Sequence, residues 1–273
     1  MIALGDLLLV LVCVGHFTSL GRYPSYPAKG YDRLDPTLVE NTRSLDTLYR
    51  EAEARAGKPL NSIPPSEAMG FLFTVVCERF SHGENARHTF FTNWLMWCGS
   101  VVARPVMPDF ALVAGPDRIL KYGHSALCGQ HSFVLVKLAQ KAGILARHVG
   151  LNGHVVMEAW YDGAWHMYDT DYEVMGGESP DAVSSVSELA RDVDRAIRLY
   201  EGRESAEKVR NFLDQSKLNL VSLPPWTPWH WKGNIMIPLE SAAEVMKFAI
   251  PVLLSLVGVW LFLRGRTTCA AGS

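Results

Sequence analysis

The clearest helical pattern in the chain begins at Cys128. Small and apolar residues recur from there at helical spacing, at Ser132, Leu135, Ala139 and Ala142. This spacing places them in one stripe along a helix, and Gly143 follows as a stop signal. The pattern therefore predicts a helix with Cys128 in or beside its first turn.

Two strands joined by a tight turn follow this helix. Residues 154–161 and 164–170 have strand-like patterning, and the Asp162-Gly163 pair between them is a strong two-residue turn signal. The pattern therefore predicts a hairpin in an antiparallel sheet.

The register of the hairpin determines which carboxylate meets His154. With a two-residue turn, His154 lies directly opposite Asp171 and diagonally across from Asp169, on one face of the sheet. The pattern leaves both aspartates as candidates to orient the imidazole. A one-residue bulge would change the register and the answer.

These residue types form a nucleophile constellation when they meet in space. A thiol at a helix start feels the positive end of the helix dipole, which favours the thiolate, and unpaired N–H groups there can hold an oxyanion. An imidazole oriented by a carboxylate supplies the proton transfers. We therefore interpret Cys128, His154 and one of the two aspartates as a candidate catalytic triad.

Several motifs around these residues occur in the order found in one known family. They are Gly123 to Gln130 with its Cys-Gly-Gln end, Gly143 to Arg147, Gly153-His154, Tyr161 to Trp165, and Asp169. Together they resemble the transglutaminase-like (transglutaminase-core) superfamily of bacterial proteins. The link from Cys128 to His154 is short, so a loop present in many members is missing.

The resemblance implies a fold and a set of roles. The fold would be α+β and papain-like, with a buried Cys-bearing helix packed on a small antiparallel sheet and a helical N-terminal layer. Cys128 would be the nucleophile, His154 the base and acid, and Asp169 the orienting residue. The family's aromatic oxyanion partner has only candidates here, namely Tyr122, His124, Trp94 and Trp97. The resemblance also suggests a membrane-anchored bacterial protein of a cell-envelope or exopolysaccharide system.

Two other interpretations of the same residues stay open. A cysteine at a helix start or a histidine on a strand is most often structural. A zinc site is a second alternative, because His124, Cys128 and His131 are closely spaced and His148 and His154 follow. Zinc sites usually show paired Cys or His at both ends, and no second Cys occurs here. We therefore expect neither a metal nor another cofactor.

Composition limits the classes of function. The chain has 273 residues, 48% of them hydrophobic, and a net charge of −2, so it can bury a substantial core and gives no reason to expect nucleic acid as a partner. The five cysteines do not form a disulfide framework. Cys77 and Cys98 are interpreted as core thiols, with a disulfide between them as the alternative.

Helical patterns fill much of the remaining chain. We predict helices over residues 37–56, 66–82, 186–201 and 205–217, a short helix starting at Pro116, and a helix followed by an extended segment over 88–107. The Trp-rich segment 224–234 is interpreted as core cover or a membrane interface.

Both ends of the chain carry apolar runs. Residues 7–20 resemble a signal sequence without a clean cleavage site, so we expect an uncleaved anchor, with a cleaved signal as the alternative. Residues 248–263 lack charge and predict a transmembrane helix, which Val245-Met246 and a snorkelling Lys247 extend. Pro251 lies near the start of the apolar run, where a helix tolerates it best. Arg264 and Arg266 after this run place the catalytic domain outside the cytoplasm, although basic residues after the first run argue weakly for the opposite.

The expected organisation has four parts. Residues 1–22 are a signal anchor or signal peptide, 23–36 a linker, 37–235 a transglutaminase-like catalytic domain, and 244–266 a C-terminal transmembrane helix. The expected activity is acyl transfer, either amide hydrolysis or transamidation, on a peptide or amide substrate, with membrane lipid around the terminal helices. The alternative is a catalytically silent, membrane-tethered binding or scaffold module of the same fold.

Overall fold

The computed structural model describes residues 1–23, 28–179, 182–214, 220–222 and 230–270. The chain divides into two compact units. The sheet unit comprises Pro24–Ala86 and Val113–Ile235, and the terminal-helix unit comprises Met1–Tyr23, Arg87–Leu112 and Met236–Ser273.

The sheet unit contains a five-stranded antiparallel sheet and a short parallel pair. The five strands lie in the order β6-β5-β4-β3-β7. They are β3 (Leu145–Leu151), β4 (His154–Tyr161), β5 (Ala164–Asp169), β6 (Val174–Met175) and β7 (Leu220–Ser222). The parallel pair joins β1 (Ser81–His82) to β2 (Ser125–Ala126), with His82 opposite Ala126.

The helices of this unit surround the sheet, and the expected α+β class is confirmed. They are α2 (Pro36–Asn41), α3 (Leu45–Ala56), α4 (Pro65–Arg79), α6 (Pro116–Tyr122), α7 (Cys128–Lys141), α8 (Val186–Leu189), α9 (Val193–Leu199) and α10 (Ala206–Phe212). Helix α7 packs on β3 and β4, and its Ser132 hydroxyl donates to the Val155 carbonyl at 3.2 Å. Residues of α8, α9 and α10 pack with Val149, Val156 and Met167 in a separate apolar cluster.

The hairpin has the predicted elements and register. Trp160 pairs with Trp165, and the pairing continues to Met157 opposite Tyr168. Asp162 and Gly163 have φ values of 50° and 75°, which match the right-handed twist of the strands in a two-residue turn. Because side chains alternate along a strand, His154 and Asp169 lie on the face that carries Val156 and Met167.

Two of the predicted helices are each divided in two, and the segment after a third is not extended. The helix predicted over 37–56 is two helices, because Ser44 accepts a hydrogen bond from Thr47 N–H in a capping box that starts α3. The helix predicted over 186–201 is also two, with Asp192 capping α9. The extended segment predicted at the end of 88–107 was wrong, because residues 104–106 form a turn after α5 ends at Ala103.

The terminal-helix unit contains three apolar helices. They are α1 (Ile2–Phe17), α5 (Phe90–Ala103) and α11 (His230–Ala270), whose first residues belong to the sheet unit. Within α11, Ile235–Arg264 is long and apolar enough to cross a membrane, at a mean hydropathy of 2.1 and with 17% of its most apolar window buried. The helix begins before residue 244, the predicted first residue of the transmembrane helix, so both Pro238 and Pro251 lie inside it.

Lys247 on α11 does not snorkel to the surface. It is 2% exposed, and its ammonium group donates to the Thr92 carbonyl at 2.9 Å and to the Glu244 carboxylate at 2.8 Å.

The predicted Trp-rich loop falls largely on residues 223–229, which lie outside the described residues.

Candidate active site

Helix α7 begins at Cys128 and leaves backbone donors beside the thiol. Leu127 is the N-cap residue, and its carbonyl accepts from Gln130 and His131 N–H at 2.8 and 3.1 Å. The N–H groups of Cys128 and Gly129 come before the first intrahelical bond, so helix geometry provides no acceptor for them. The Cys128 side chain is partly exposed. The thiol therefore lies beside backbone N–H groups that the helix itself does not use.

His154 is held by the strand that it begins and by two aromatic rings. Gly153 before it has φ of 78°, in the left-handed region that favours glycine, and completes the turn from β3 to β4. The imidazole stacks on Phe212 at 4.7 Å between ring centroids and meets Tyr172 edge-on at 5.2 Å. These contacts fix the ring plane.

Asp169 accepts four hydrogen bonds and is fully buried. Its Oδ2 accepts from His154 Nε2 at 2.7 Å and from the Tyr200 hydroxyl at 2.6 Å. Its Oδ1 accepts from the N–H groups of Asp171 and Tyr172 at 3.1 and 3.2 Å. A carboxylate with four donors is stabilised as an anion and is well placed to orient the imidazole.

The thiol, the imidazole and a second carboxylate converge. The Cys128 sulfur, a ring nitrogen of His154 and a carboxylate oxygen of Asp171 all lie within 4.8 Å of one another. Because Nε2 of His154 bonds to Asp169, Nδ1 is the nitrogen left to exchange a proton with the thiol. The structure thus brings together all four residues that the sequence singled out.

The charges of the site favour a protonated imidazole. Burial alone would lower the pKa of His154, but the charge and hydrogen bond of Asp169, aided by Cys128, raise that pKa well above its ordinary value. Burial would raise the pKa of Asp169, but the His154 charge, the Tyr200 hydroxyl and the Tyr172 N–H hold it below its ordinary value. Burial and the charge of Asp169 raise the pKa of Tyr200, which keeps its hydroxyl a donor. Both shifts favour an ion pair between His154 and Asp169.

Asp171 has histidine neighbours of its own. It is 2% exposed, and its Oδ1 lies 3.0 Å from His82 Nδ1 and 3.6 Å from His131 Nδ1. The hydrogen bond to Asp171 raises the pKa of His82, whereas burial lowers the pKa of His131 to about 4 and leaves that ring neutral. Pairing of β1 with β2 brings His82 to the loop before Cys128.

Sequence reasoning missed four side chains of the site. His82, Tyr172, Tyr200 and Phe212 contact the triad residues or Asp171. Tyr172 adjoins the predicted motif, but the others come from segments far away in the chain. Tyr200 falls within the helix predicted over 186–201, whose pattern does not mark it as a site residue. The short strand that carries His82 has no pattern that predicts its pairing.

The other candidates from the sequence lie elsewhere. His148 is buried against Phe133, and burial lowers its pKa to about 3. Trp94 and Trp97 belong to the terminal-helix unit, where the Trp94 indole donates to the Lys247 carbonyl at 3.1 Å. Tyr122 is buried. The His124 carbonyl accepts from Ser81 N–H at 2.8 Å in the β1–β2 pair. The aromatic oxyanion partner stays a prediction.

The other described cysteines are free thiols. Cys77 is buried, and burial raises its pKa well above the ordinary value. Cys98 is exposed and free, so its interpretation as a core thiol was wrong. These thiols provide internal references for the reactivity of Cys128.

Comparison with known proteins adds little to this geometry. No family model and no curated protein matches the chain. One similar solved structure is described as the crystal structure of a TGase (a transglutaminase), at 15% identity and a TM-score of 0.31. The likeness covers 49% of this chain and 32% of that one, so the chain spans about a third of the transglutaminase chain. At that TM-score the likeness carries no argument about activity.

Proposed function

We propose that the protein is a membrane-anchored acyl-transfer enzyme of transglutaminase-like type, with Cys128, His154 and Asp169 as its triad. The observation that carries the proposal is the 2.7 Å bond from His154 to Asp169 with the Cys128 sulfur within 4.8 Å of a ring nitrogen. A thiol, an oriented imidazole and a buried carboxylate in this order are the parts of a nucleophilic mechanism.

The first half of the reaction forms an acyl-enzyme. The Cys128 thiolate attacks the carbonyl carbon of an amide or ester, and the resulting oxyanion accepts from the N–H groups at the start of α7. The tetrahedral intermediate collapses with cleavage of the bond to the leaving amine or alcohol. His154 donates its Nδ1 proton to that leaving group, and a thioester on Cys128 remains.

The second half transfers the acyl group. Nδ1 of His154, now unprotonated, accepts a proton from water or from a primary amine as that nucleophile attacks the thioester. Hydrolysis gives a carboxylic acid, and attack by an amine gives a new amide. The thiolate leaves and pairs again with the imidazolium, so the enzyme returns to its starting state.

The candidate membrane helix supports a site of action at a bilayer. Helix α11 provides a span of 30 residues, and about 20 residues suffice to cross the hydrocarbon core. Arg264 and Arg266 after the apolar run favour a cytoplasmic C-terminus and a catalytic domain on the extracytoplasmic side. A peptide or amide in the cell envelope is then the proposed substrate class.

The pH dependence of Cys128 alkylation tests this proposal. An ordinary thiol, with a pKa of about 8.5, is almost entirely protonated near pH 6 and reacts slowly there. We expect Cys128 of the full chain in detergent to label with iodoacetamide at least about tenfold faster than Cys98 at that pH. Peptide mass spectrometry follows each cysteine separately.

Two histidine variants locate the cause. His154→Ala is expected to remove the fast labelling of Cys128, whereas His166→Ala, a partly exposed histidine on the same sheet, is expected to leave it unchanged. If Cys128 reacts like Cys98 and ignores both variants, the triad is not assembled. The silent membrane-tethered binding module is then the better account.

A further inference from the structure

Asp171 is a buried carboxylate that the acyl-transfer mechanism does not use. Asp169 already occupies Nε2 of His154. Asp171 nevertheless lies with one carboxylate oxygen within 4.8 Å of both the Cys128 sulfur and a His154 nitrogen. A second anion beside a nucleophilic thiolate opposes formation of that thiolate.

The surroundings of Asp171 are rich in metal-binding groups. His82 Nδ1 lies 3.0 Å from Oδ1 of Asp171, and the His82 side chain is 17% exposed. The Asp171 backbone is fixed by the bond from its N–H to Asp169. Cys128 is also partly exposed. The cluster is therefore built rigidly, yet an ion from solvent reaches it past Cys128 and His82.

We propose that Cys128, His154 and Asp171 form a zinc-binding site that reversibly blocks the nucleophile. One thiolate, one imidazole and one carboxylate are the ligand types that Zn²⁺ takes, with a fourth position left for water or for His82. Bond lengths of about 2.0–2.3 Å in a tetrahedral site place ligand atoms roughly 3.3–3.8 Å apart. Side-chain movements of about an ångström therefore close the present cluster around the ion.

Binding of the ion has a defined chemical consequence. The Cys128 sulfur and His154 Nδ1 each give a lone pair to Zn²⁺, and the protons that they carried leave to solvent. Neither group is then free to attack a carbonyl or to protonate a leaving group. Asp169 keeps its bond to Nε2 and orients the metal-bound ring, as carboxylates do behind zinc-bound histidines.

Zinc binding is measured directly on the purified full chain in detergent after treatment with a chelator. We expect about one Zn²⁺ per chain in competition with a chromophoric chelator. Micromolar Zn²⁺ is expected to slow alkylation of Cys128 at least about tenfold, with recovery on addition of EDTA. Cys98 in the same sample is expected to label at the same rate with and without zinc, and Mg²⁺, which prefers oxygen ligands, gives no protection.

The variant Asp171→Asn separates this site from the triad. It is expected to weaken zinc binding at least about tenfold. Asp46→Asn, at a surface carboxylate whose side chain is 73% exposed, is the matched control and is expected to bind zinc like the unmodified chain. Cys128→Ser removes the proposed thiolate ligand and is a second variant that is expected to bind zinc more weakly. Its zinc affinity is measured in the same competition experiment.

The outcomes distinguish this inference from the proposed function. Equal zinc affinity in the unmodified chain and in Asp171→Asn overturns the site, as does unchanged Cys128 labelling with zinc bound. Either result leaves the triad intact if His154→Ala still abolishes fast labelling. Conversely, if zinc affinity depends on Asp171, the zinc site stands even when no acyl-transfer activity is found.

Discussion

At the scale of single residues, the two aspartates near His154 have different partners and therefore different expected effects. Asp169 bonds to Nε2 of His154, and its charge holds the imidazolium. We expect Asp169→Asn to slow Cys128 alkylation near pH 6 at least about tenfold, the factor that one pKa unit represents. Asp171→Asn, measured in parallel without metal, is expected not to slow it. If Asp171→Asn slowed alkylation of Cys128 and Asp169→Asn did not, Asp171 would be the orienting residue.

Tyr200 is a buried donor to the same carboxylate. Its hydroxyl donates to Asp169 Oδ2 at 2.6 Å, and Tyr200 is 3% exposed. Because hydrogen bonds to charged groups contribute about 1.5–3 kcal/mol, we expect Tyr200→Phe to lower the free energy of unfolding by about that amount. Thermal or urea unfolding of the full chain measures it. Tyr161→Phe removes a hydroxyl that bonds to the neutral Tyr168 hydroxyl at 2.7 Å, and is expected to cost less. Equal losses of unfolding free energy in the two variants would mean that the hydrogen bond to Asp169 is no stronger than one between neutral groups.

The Asp169–His154 pair also predicts how stability depends on pH. A histidine whose pKa is raised on folding stabilises the folded state fully below its unfolded pKa, near 6.5, and this contribution is lost as pH rises through the folded pKa. The stability advantage of the unmodified chain over His154→Gln should therefore shrink as pH is raised above neutrality. Melting temperatures across that range test it, and an advantage that stays constant or grows would contradict the raised pKa.

Sequence reasoning succeeded at residues whose neighbours are close in the chain. Cys128, His154 and Asp169 lie on a helix and a hairpin with local patterns, so alternation along the strands placed His154 and Asp169 on one face. The choice between Asp169 and Asp171 required side-chain geometry, because pattern allows both. His82 and Phe212 reach the site through long-range packing, which no local pattern specifies.

At the scale of secondary-structure elements, caps decided where the predictions went wrong. Hydrophobic periodicity continues through Ser44 and Asp192, but each side chain accepts a hydrogen bond that begins a new helix. Apolar stripes therefore located the helices but merged neighbouring ones. The hairpin was predicted more closely, because Asp162-Gly163 specifies both the turn and the register.

The hairpin turn supports a test at this scale. Gly163 has φ of 75° and open space around its α-carbon, so a methyl group meets no neighbour but forces a strained backbone. We expect Gly163→Ala to destabilise the protein by about 1–2 kcal/mol. Gly30→Ala, also in open space but without a positive φ, is the matched control and should be close to neutral. A similar loss in both variants would show that backbone conformation is not the cause.

At the scale of the whole molecule, the division into units differs from a simple anchor-domain-anchor order. Residues 87–112 fall inside the predicted catalytic domain, yet they group with the two terminal segments. The domain limits predicted from the sequence stay a prediction, because contact grouping does not test independent folding. Apolar helix α5 packs with α1. No local pattern in the sequence indicates this contact, because the two helices are far apart along the chain.

The packing of α1 bears on whether the first apolar helix is removed after export. Gly5 lies so close to α11 that an added Cβ would come within 2.7 Å of the Pro251 carbonyl oxygen, and Asp6 accepts a hydrogen bond from Ser255 at 2.7 Å. Close approach at glycine and a polar bond between helices are the contacts that hold helices together in a bilayer. A cleaved signal would have no need of such a fit, so we expect α1 to remain in the mature protein.

Mass spectrometry of the protein purified from membranes tests this expectation, since an N-terminal peptide from residues 2–17 must be present. Gly5→Leu is expected to weaken the helix pair and lower the melting temperature, because the larger side chain meets α11 backbone. Leu4→Ala, at a residue 53% exposed, is the control and should change it little. A mature chain that begins after α1 would overturn the expectation and make residues 7–20 a cleaved signal. If α1 is retained and only Gly5→Leu lowers the melting temperature, α1 and α11 form one packed anchor.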